Sequence, residues 1–281
     1  MGLVLSINYF LTLFLDTFRR LGGWRIWLVL GAYFLFEWLF LFAHYKFYWP
    51  VLIDILQPWL RLVNGQNAAG YTHYPGHFLL LPDFFDWTRF AVSILVKGVV
   101  LGVVAVLFSH GYTRGGQGYG RLLGGRTVFI WAQMVAAWLL VGGLVVIIYS
   151  VLPEMLSSSL AGAPRRIFFF KYMLQPALHI GALATVYFVI PVIAVRRVNF
   201  LRAVARSLTF FWRTPFTCLF LSAIIFFGHI LLVQILARRA ALVESFPPES
   251  IYWLLIAGLA MDIVIGFFWM GTASRYLVDQ D

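Results

Sequence analysis

The chain contains few charged residues and a single cysteine. Charged residues make up 11% of its 281 residues, and hydrophobic residues make up 62%. Water-soluble domains carry about 25% charged residues, so this composition excludes a soluble or disordered chain and predicts an integral membrane protein. The lone Cys218 excludes an intramolecular disulfide and any cysteine-based zinc or iron–sulfur centre.

Sequence motifs for catalysis are also missing. The chain has no HExxH motif, no nucleophile–His–acid order and no paired-carboxylate motif. The glycine-rich run at 114–120 follows no predicted strand and lacks the Gly-Lys-Ser/Thr of a phosphate-binding loop. We therefore expect a protein that is not an enzyme and that holds no cofactor and no metal.

Six apolar stretches are long enough to cross a bilayer, which requires about 20 residues each. They cover about 26–45, 90–110, 127–151, 167–195, 215–236 and 251–274. The sequence therefore predicts an all-α, polytopic membrane protein whose six-helix transmembrane domain covers 26–281.

The first 25 residues have a different pattern. Apolar side chains recur there on one helical face, while polar and charged side chains occupy the opposite face. The apolar set is Leu3, Ile7, Phe10, Phe14 and Phe18. Residues 1–25 are therefore predicted to form an amphipathic helix in the interface on the cytoplasmic side.

The loops between the predicted spans alternate in charge. One side carries a net charge of +9, the other carries +2, and Glu37, Lys97 and Asp262 inside the spans contribute −1, which gives the total of +10. The positive-inside rule places the +9 side, and both termini, in the cytoplasm. We expect Arg19, Arg20, Arg202 and Arg206 to contact anionic lipids or a partner there. The basic pI then reflects orientation and predicts no nucleic-acid binding.

Basic amphipathic stretches precede the first, third and fifth spans. They cover 18–25, 119–126 and 206–213, which predicts three units of interfacial helix followed by spanning helix. The third has an apolar face from which Arg202 and Arg206 are excluded. That face consists of Phe200, Leu201, Val204, Leu208 and Phe211.

The longest predicted non-spanning segment is an outer cap at 46–89, rich in aromatic residues. Trp49 and Trp59 lie on a stretch that reads as a short apolar helix on the membrane surface. We expect this cap to be a docking surface for protein or lipid, or a structural lid. Two histidines and two aspartates are candidate metal ligands, but Pro75-Gly76 disfavours the helical zinc pattern, so a metal site is the less favoured alternative. These four residues are His73, His77, Asp83 and Asp86.

Four ionisable residues are expected near the middle of the spans: Glu37, Lys97, His179 and Asp262. Charges there usually face the interior of a helix bundle and pair with one another. Because spans one and two are adjacent in sequence, we predict an ion pair between Glu37 and Lys97. Two interpretations stay open, namely a polar core that carries protons or a solute, and a set of hydrogen bonds that fixes helix register.

The stretch from Val189 to Arg213 carries a resemblance to a known family. A spanning helix ends there in Pro191, an Ala205-Arg206-Ser207 core follows, and Trp212 leads to the next span. This pattern resembles the YciC-like six-helix bacterial membrane proteins and is similar to the membrane domain attached to some glycerophosphodiester phosphodiesterases. The resemblance implies a bacterial inner-membrane protein, and no phosphodiesterase domain accompanies it here.

Three hypotheses for function follow. The first is a non-catalytic inner-membrane subunit or scaffold that docks with other membrane protein subunits. The second is a small-solute or proton-coupled transporter that uses Glu37, Lys97, His179 and Asp262. The third is a lipid-handling enzyme with its site at the membrane interface.

Overall fold

The computed structural model describes residues 3–46, 50–65, 76–113, 127–156, 164–236 and 238–280. Within these ranges the chain is helical and contains no strand, which confirms the all-α prediction. Helices satisfy their backbone hydrogen bonds internally, and a segment surrounded by lipid needs this property.

The helices run in the following order. The first four are α1 (Leu3–Phe18), α2 (Trp24–Tyr45), α3 (Pro50–Asn64) and α4 (Gly76–Tyr112). Helix α5 (Thr127–Val146) continues through a π-helical turn at Ile147–Val151 to Leu152–Met155. Helix α6 (Pro164–Arg196) contains a π-helical turn at Phe170–Leu174. The last four are α7 (Phe200–Arg213), α8 (Pro215–Leu236), α9 (Arg239–Ser245) and α10 (Ser250–Asp279).

Five of the described helices are long and apolar enough to cross a membrane: α2, α4, α5, α6 and α10. Helices α7 and α8 form a pair bent by 109°, and this pair supplies a sixth candidate. The chain is therefore a multi-span helical membrane protein. Pro215 explains the bend, because the residue before a proline is disfavoured in the α conformation, and Thr214 leaves it with φ −136° and ψ 59°.

Helix α4 begins at Gly76, well before the start of the predicted second span near residue 90. Pro82 removes one helical hydrogen bond but does not end the helix. Its neighbours Leu81, Phe84 and Phe85 are all buried, and this packing holds the turn in place. The predicted outer cap at 46–89 thus contains the first part of α4 as well as α3.

The chain divides into two compact units, each assembled from separated segments. The first unit comprises Met1–Ile26, Val96–Phe226 and Phe267–Asp281. The second comprises Trp27–Leu95 and Phe227–Gly266. The second has an aromatic and aliphatic core contributed by α2, α3, α4 and α10. Its buried members are Leu41, Leu56, Leu60, Phe78, Leu81, Phe84, Phe85, Ile251, Tyr252, Leu255 and Leu259.

In the first unit, helix α6 is broken at residues 187–188. Pro191 has no N–H, so the Tyr187 carbonyl four residues earlier loses its helical partner. The indole Nε1 of Trp269 on α10 donates to this carbonyl at 2.9 Å. The Tyr187 hydroxyl lies 2.7 Å from Thr272 Oγ1, also on α10. Two side chains from α10 therefore form hydrogen bonds with the polar groups of Tyr187 at the break.

Ser207 on α7 forms hydrogen bonds with two further backbone groups at the same break. Its hydroxyl donates to the Thr185 carbonyl at 2.6 Å and accepts from the Phe188 backbone N–H at 3.3 Å. Both backbone groups would otherwise lie unsatisfied in the core, at a cost of about 1–3 kcal/mol each. The serine of the Ala205-Arg206-Ser207 core is thus a bridging group at a proline-induced break.

Candidate functional site

Three charged side chains from three helices meet in the second unit. Glu37 comes from α2, Arg89 from α4 and Asp262 from α10. Arg89 donates from Nε to Glu37 Oε1 at 2.9 Å and from Nη2 to Oε2 at 2.8 Å. The same Nη2 donates to Asp262 Oδ2 at 2.5 Å. One guanidinium therefore joins two carboxylates, and we call these three residues the Arg89 cluster.

The Arg89 cluster is buried. The side chains of Glu37, Asp262 and Arg89 are 4%, 11% and 17% exposed. Tyr33, one turn before Glu37 on α2, donates its hydroxyl to Glu37 Oε1 at 2.5 Å. Glu37 Oε1 thus accepts two hydrogen bonds and Oε2 accepts one. Bidentate, charge-assisted bonds of this kind are the strongest that side chains form, because the planar guanidinium matches the carboxylate.

The cluster has a formal charge of −1 when both acids are ionised, since one arginine faces two carboxylates. Chemically, such a group can do two things. It can fix the packing of three helices through one shared cation, or it can exchange a proton or cation that offsets the additional negative charge.

A second buried polar group lies on the same two helices, α2 and α4. His44 is fully buried among aromatic rings, and its Nδ1 lies 2.8 Å from the Phe40 carbonyl. A carbonyl only accepts, so Nδ1 carries a hydrogen. Nε2 lies 2.8 Å from Thr88 Oγ1, and that oxygen also lies 2.8 Å from the Phe84 carbonyl.

An exposed ion pair joins α4 to α9 in the same unit. Arg239 donates to both oxygens of Asp83, at 2.7 and 2.6 Å. The two side chains are 31% and 47% exposed, so the pair is much less buried than the Arg89 cluster. Asp83 therefore serves as a structural link and is not a bare acidic site.

The remaining two predicted core residues lie in the first unit. The Lys97 ammonium stands 5.0 Å from the centre of the Trp138 ring, a cation–π distance. His179 Nδ1 lies 3.0 Å from the Tyr149 hydroxyl, next to the π-helical turn of α5. Glu37 and Asp262 are thus brought together, whereas Lys97 and His179 belong to different surroundings.

The predicted ion pair between Glu37 and Lys97 was wrong. Both carboxylate oxygens of Glu37 bind Arg89, which lies eight residues before Lys97 on α4 and hence about 12 Å along the helix. Arg89 is the last residue of the predicted outer cap at 46–89 and directly precedes the predicted span at about 90–110. The signal that could have found it is that residues 84–89 continue a helical pattern into that run.

The predicted contact residues lie as follows. Arg19, Arg20, Arg202, Arg206 and Trp59 are all exposed. Arg19 also pairs with Asp16, and Arg20 donates to the Gly111 carbonyl at the end of α4. Trp49 and His73 fall outside the described residues. In the part of the chain that the structure describes, no three His, Cys, Asp or Glu side chains are placed to hold a metal ion.

Comparison with known proteins yields no match: no family model fits the chain, and neither a curated protein nor a solved structure resembles it significantly.

Proposed function

We propose that this chain is a non-catalytic membrane subunit or scaffold of a larger membrane complex. The observation that supports this best is the Arg89 cluster, in which Arg89 bonds to both Glu37 and Asp262. A cation shared in this way fixes the relative positions of α2, α4 and α10. Its first task is structural, because each carboxylate accepts a charge-assisted bond.

The distribution of the other polar residues supports the same proposal. Glu37 and Asp262 share one cation, whereas Lys97 contacts Trp138 and His179 contacts Tyr149. Contacts of this kind are expected for side chains that hold helices together.

The proposed location is the bacterial inner membrane, with both termini in the cytoplasm. The excess of +9 on one set of loops supports the orientation. The resemblance of the segment from Pro191 to Trp212 to the YciC-like proteins supports the bacterial assignment. The partners we propose are anionic lipids at the cytoplasmic face and other membrane subunits.

Helix α3 offers a surface for such a subunit. It buries Leu56 and Leu60 in the core of the second unit and exposes Ile55, Trp59 and Leu62 on its other side. Exposed tryptophan is typical of interfaces and of the headgroup region of a membrane. This face therefore suits contact with a partner protein or with lipid.

Purification in a gentle detergent tests the proposal. The wild-type chain is expected to migrate with partner subunits. The Glu37→Gln variant is expected to retain the same partners, because the amide oxygen of the introduced side chain can still accept a hydrogen bond from Arg89. A monomer whose melting temperature rises with a small solute would contradict the proposal. A matched control is Glu244→Gln, an exposed acid on α9.

A proton-coupled or small-solute transporter is the second candidate, and the excess carboxylate of the Arg89 cluster favours it. Proton uptake by Glu37 or Asp262 would offset the formal charge of −1. In proteoliposomes that contain a pH-sensitive dye, this function predicts proton flux for the wild type and none for Glu37→Gln. Equal flux in both proteins, or none in either, would exclude it.

A further inference from the structure

Helix α7 has three distinct faces. The face that packs into the first unit consists of Ala203, Ser207 and Phe210, all buried. A second face is apolar and exposed, with Leu201 at 75% and Trp212 at 77% exposure, and Leu208 between them. The helix thus docks through its small and hydroxyl-bearing side and leaves its most apolar side uncovered.

The third face of α7 is basic. Arg202, Arg206 and Arg213 recur there at helical spacing, and all three are exposed. No acidic residue occurs between Glu154 and Glu244 in the sequence. Among the described residues no carboxylate pairs with Arg202 or Arg206. The face therefore has a strong positive charge without a neutralising partner from the described chain.

The direction of α7 suits a membrane surface. It is bent by 109° from α8, so it runs across the direction of that apolar helix and not along it. A helix in this position places its apolar face toward the acyl chains and its basic face toward the headgroups. Trp212 stands at the end of α7, where aromatic side chains favour the boundary between these two regions.

Arg197 extends the basic surface. It is exposed and adopts φ 51°, a left-handed conformation that is uncommon for any residue except glycine. It ends α6, and Asn199 then caps α7 by accepting a hydrogen bond from the Arg202 backbone N–H. Arg197 thus stands two residues before the cap of the basic helix.

A comparable pattern on α1 supports this interpretation. That helix buries Ser6, Leu13 and Thr17 and exposes an apolar face. The exposed set is Leu3, Val4, Leu5, Ile7, Leu11, Leu15 and Phe18. Helix α1 lacks a basic stripe, because its polar side carries Asp16. The two helices therefore share the apolar character, and the arginine stripe is specific to α7.

We infer that the basic face of α7, made of Arg202, Arg206 and Arg213, binds the phosphate groups of anionic phospholipids in the bilayer, with Arg197 beside it. Leu201, Leu208 and Trp212 insert next to these phosphates. The inference rests on the proposed membrane placement and on the anionic lipids proposed there, and it names the helix face and the lipid group that form the contact. Arginine suits this ligand because its planar fork donates two hydrogen bonds to one phosphate.

The test uses the full-length chain in detergent micelles, titrated with phosphatidylglycerol or with phosphatidylcholine. Phosphatidylglycerol is expected to raise the melting temperature of the wild type, and phosphatidylcholine is not. For Arg202→Gln/Arg206→Gln the apparent affinity for phosphatidylglycerol is expected to fall about 25-fold, because each basic residue near an anionic surface contributes roughly a factor of five. Sodium phosphate at the same concentration is expected to have no effect.

The matched control is Arg165→Gln/Arg166→Gln, which removes two exposed arginines from the start of α6 in the same unit. It is expected to respond to phosphatidylglycerol as the wild type does. An unchanged affinity in Arg202→Gln/Arg206→Gln overturns the inference, as does an equal loss in the control.

Capture of a protein that still binds in lipid-free detergent and is lost only from Arg202→Gln/Arg206→Gln would instead assign this face to an acidic partner and overturn the inference. These outcomes leave the proposed subunit function untouched, because that function is judged by partners retained in the Glu37→Gln variant.

Discussion

The two units hold their helices together with different polar chemistry. In the second unit, ionised side chains meet in the core, where Arg89 bonds to both Glu37 and Asp262. In the first unit, neutral groups connect the helices. Trp269 and Ser207 donate hydrogen bonds to backbone carbonyls at the break in α6. Neutral hydrogen bonds tolerate the loss of one member at modest cost, whereas a buried ion without its partner is very unfavourable.

Ion pairs of the first unit lie toward its surface. Arg275 on α10 donates to Asp16 at 2.9 Å and lies 2.7 Å from Asp279, with side chains about a quarter exposed. Tyr9 on α1 lies beside this group and donates to Asp279 at 3.2 Å. Burial, and then the negative charge of Asp279, raise the pKa of Tyr9, so its hydroxyl stays protonated and keeps donating. Single substitutions in the buried cluster of the second unit are therefore expected to cost more stability than those in the first unit.

The largest effect is expected for Arg89→Met, because it leaves two carboxylates in the core without a cation. We expect a loss of about 3–5 kcal/mol in the free energy of unfolding, measured by denaturation in mixed micelles. The control Arg61→Met changes an exposed arginine on α3 and is expected to stay within about 0.5 kcal/mol of the wild type.

A triple variant sharpens this prediction. Glu37→Leu/Arg89→Met/Asp262→Leu removes all three charges together, and it should recover most of the lost stability because no buried ion is left unpaired. If the triple variant were less stable than Arg89→Met, the ionic cluster would be contributing net stability of its own and our comparison would fail.

A smaller effect is expected for Ser207→Ala in the first unit. The change leaves the Thr185 carbonyl and the Phe188 N–H without their bridging hydroxyl. We expect a loss of about 1–3 kcal/mol in the same unfolding assay. Thr209→Ala is the matched control, since this exposed hydroxyl bonds only within its own helix. Equal losses in both variants would refute the bridging role.

Trp269→Phe is expected to cost about 1 kcal/mol, within the range measured for single interhelical hydrogen bonds in membranes. The loss should shrink when Pro191→Ala is introduced as well, because the restored N–H can bond to the Tyr187 carbonyl. A double-mutant cycle measures this coupling. Strictly additive effects would show that Trp269 acts only through packing.

The smallest effect is expected for Asp16→Asn, at about 0.2–1 kcal/mol, because the pair with Arg275 is partly exposed. Salt should reduce the difference between variant and wild type. For Arg89→Met, salt should have little influence. A salt dependence that is the same for both variants would remove the distinction between the two units.

Much of the fold could be predicted from the sequence. Apolar length indicated where the long helices lie, and the period of the apolar residues indicated that α1 is amphipathic. These signals are local, so one sequence contains them in full. The all-α class and the multi-span membrane character followed from them.

The centre of the Arg89 cluster was missed for a physical reason. Arg89 stands just before the apolar run at about 90–110, so it was counted with the outer cap at 46–89 and not with the spans. The burial that keeps α4 helical comes from Phe84 and Phe85 packing in the second unit, a tertiary effect. Moving Arg89 into the intramembrane set also balances that set, since Arg89 and Lys97 then match Glu37 and Asp262.

The face through which α7 packs could also not be predicted from the sequence. Its apolar stripe could be read from the periodicity, but the face that docks is the one with Ala203 and Ser207. In a soluble protein the apolar stripe would be the buried side. In a membrane the apolar stripe can face lipid, so the opposite, small and hydroxyl-bearing face can be the one that packs. The hydroxyl at residue 207 is explained by the break in α6, to which it donates and from which it accepts hydrogen bonds.

The arrangement of the Arg89 cluster has a consequence for biogenesis. Ribosomes deliver the chain from its N-terminus, so Glu37 and Arg89 enter the membrane long before Asp262. Before Asp262 is present, Glu37 and Arg89 form an ion pair with no net formal charge. The last helix then brings the second carboxylate to a cation that is already in place. Assembly of the second unit is therefore completed only when α10 arrives.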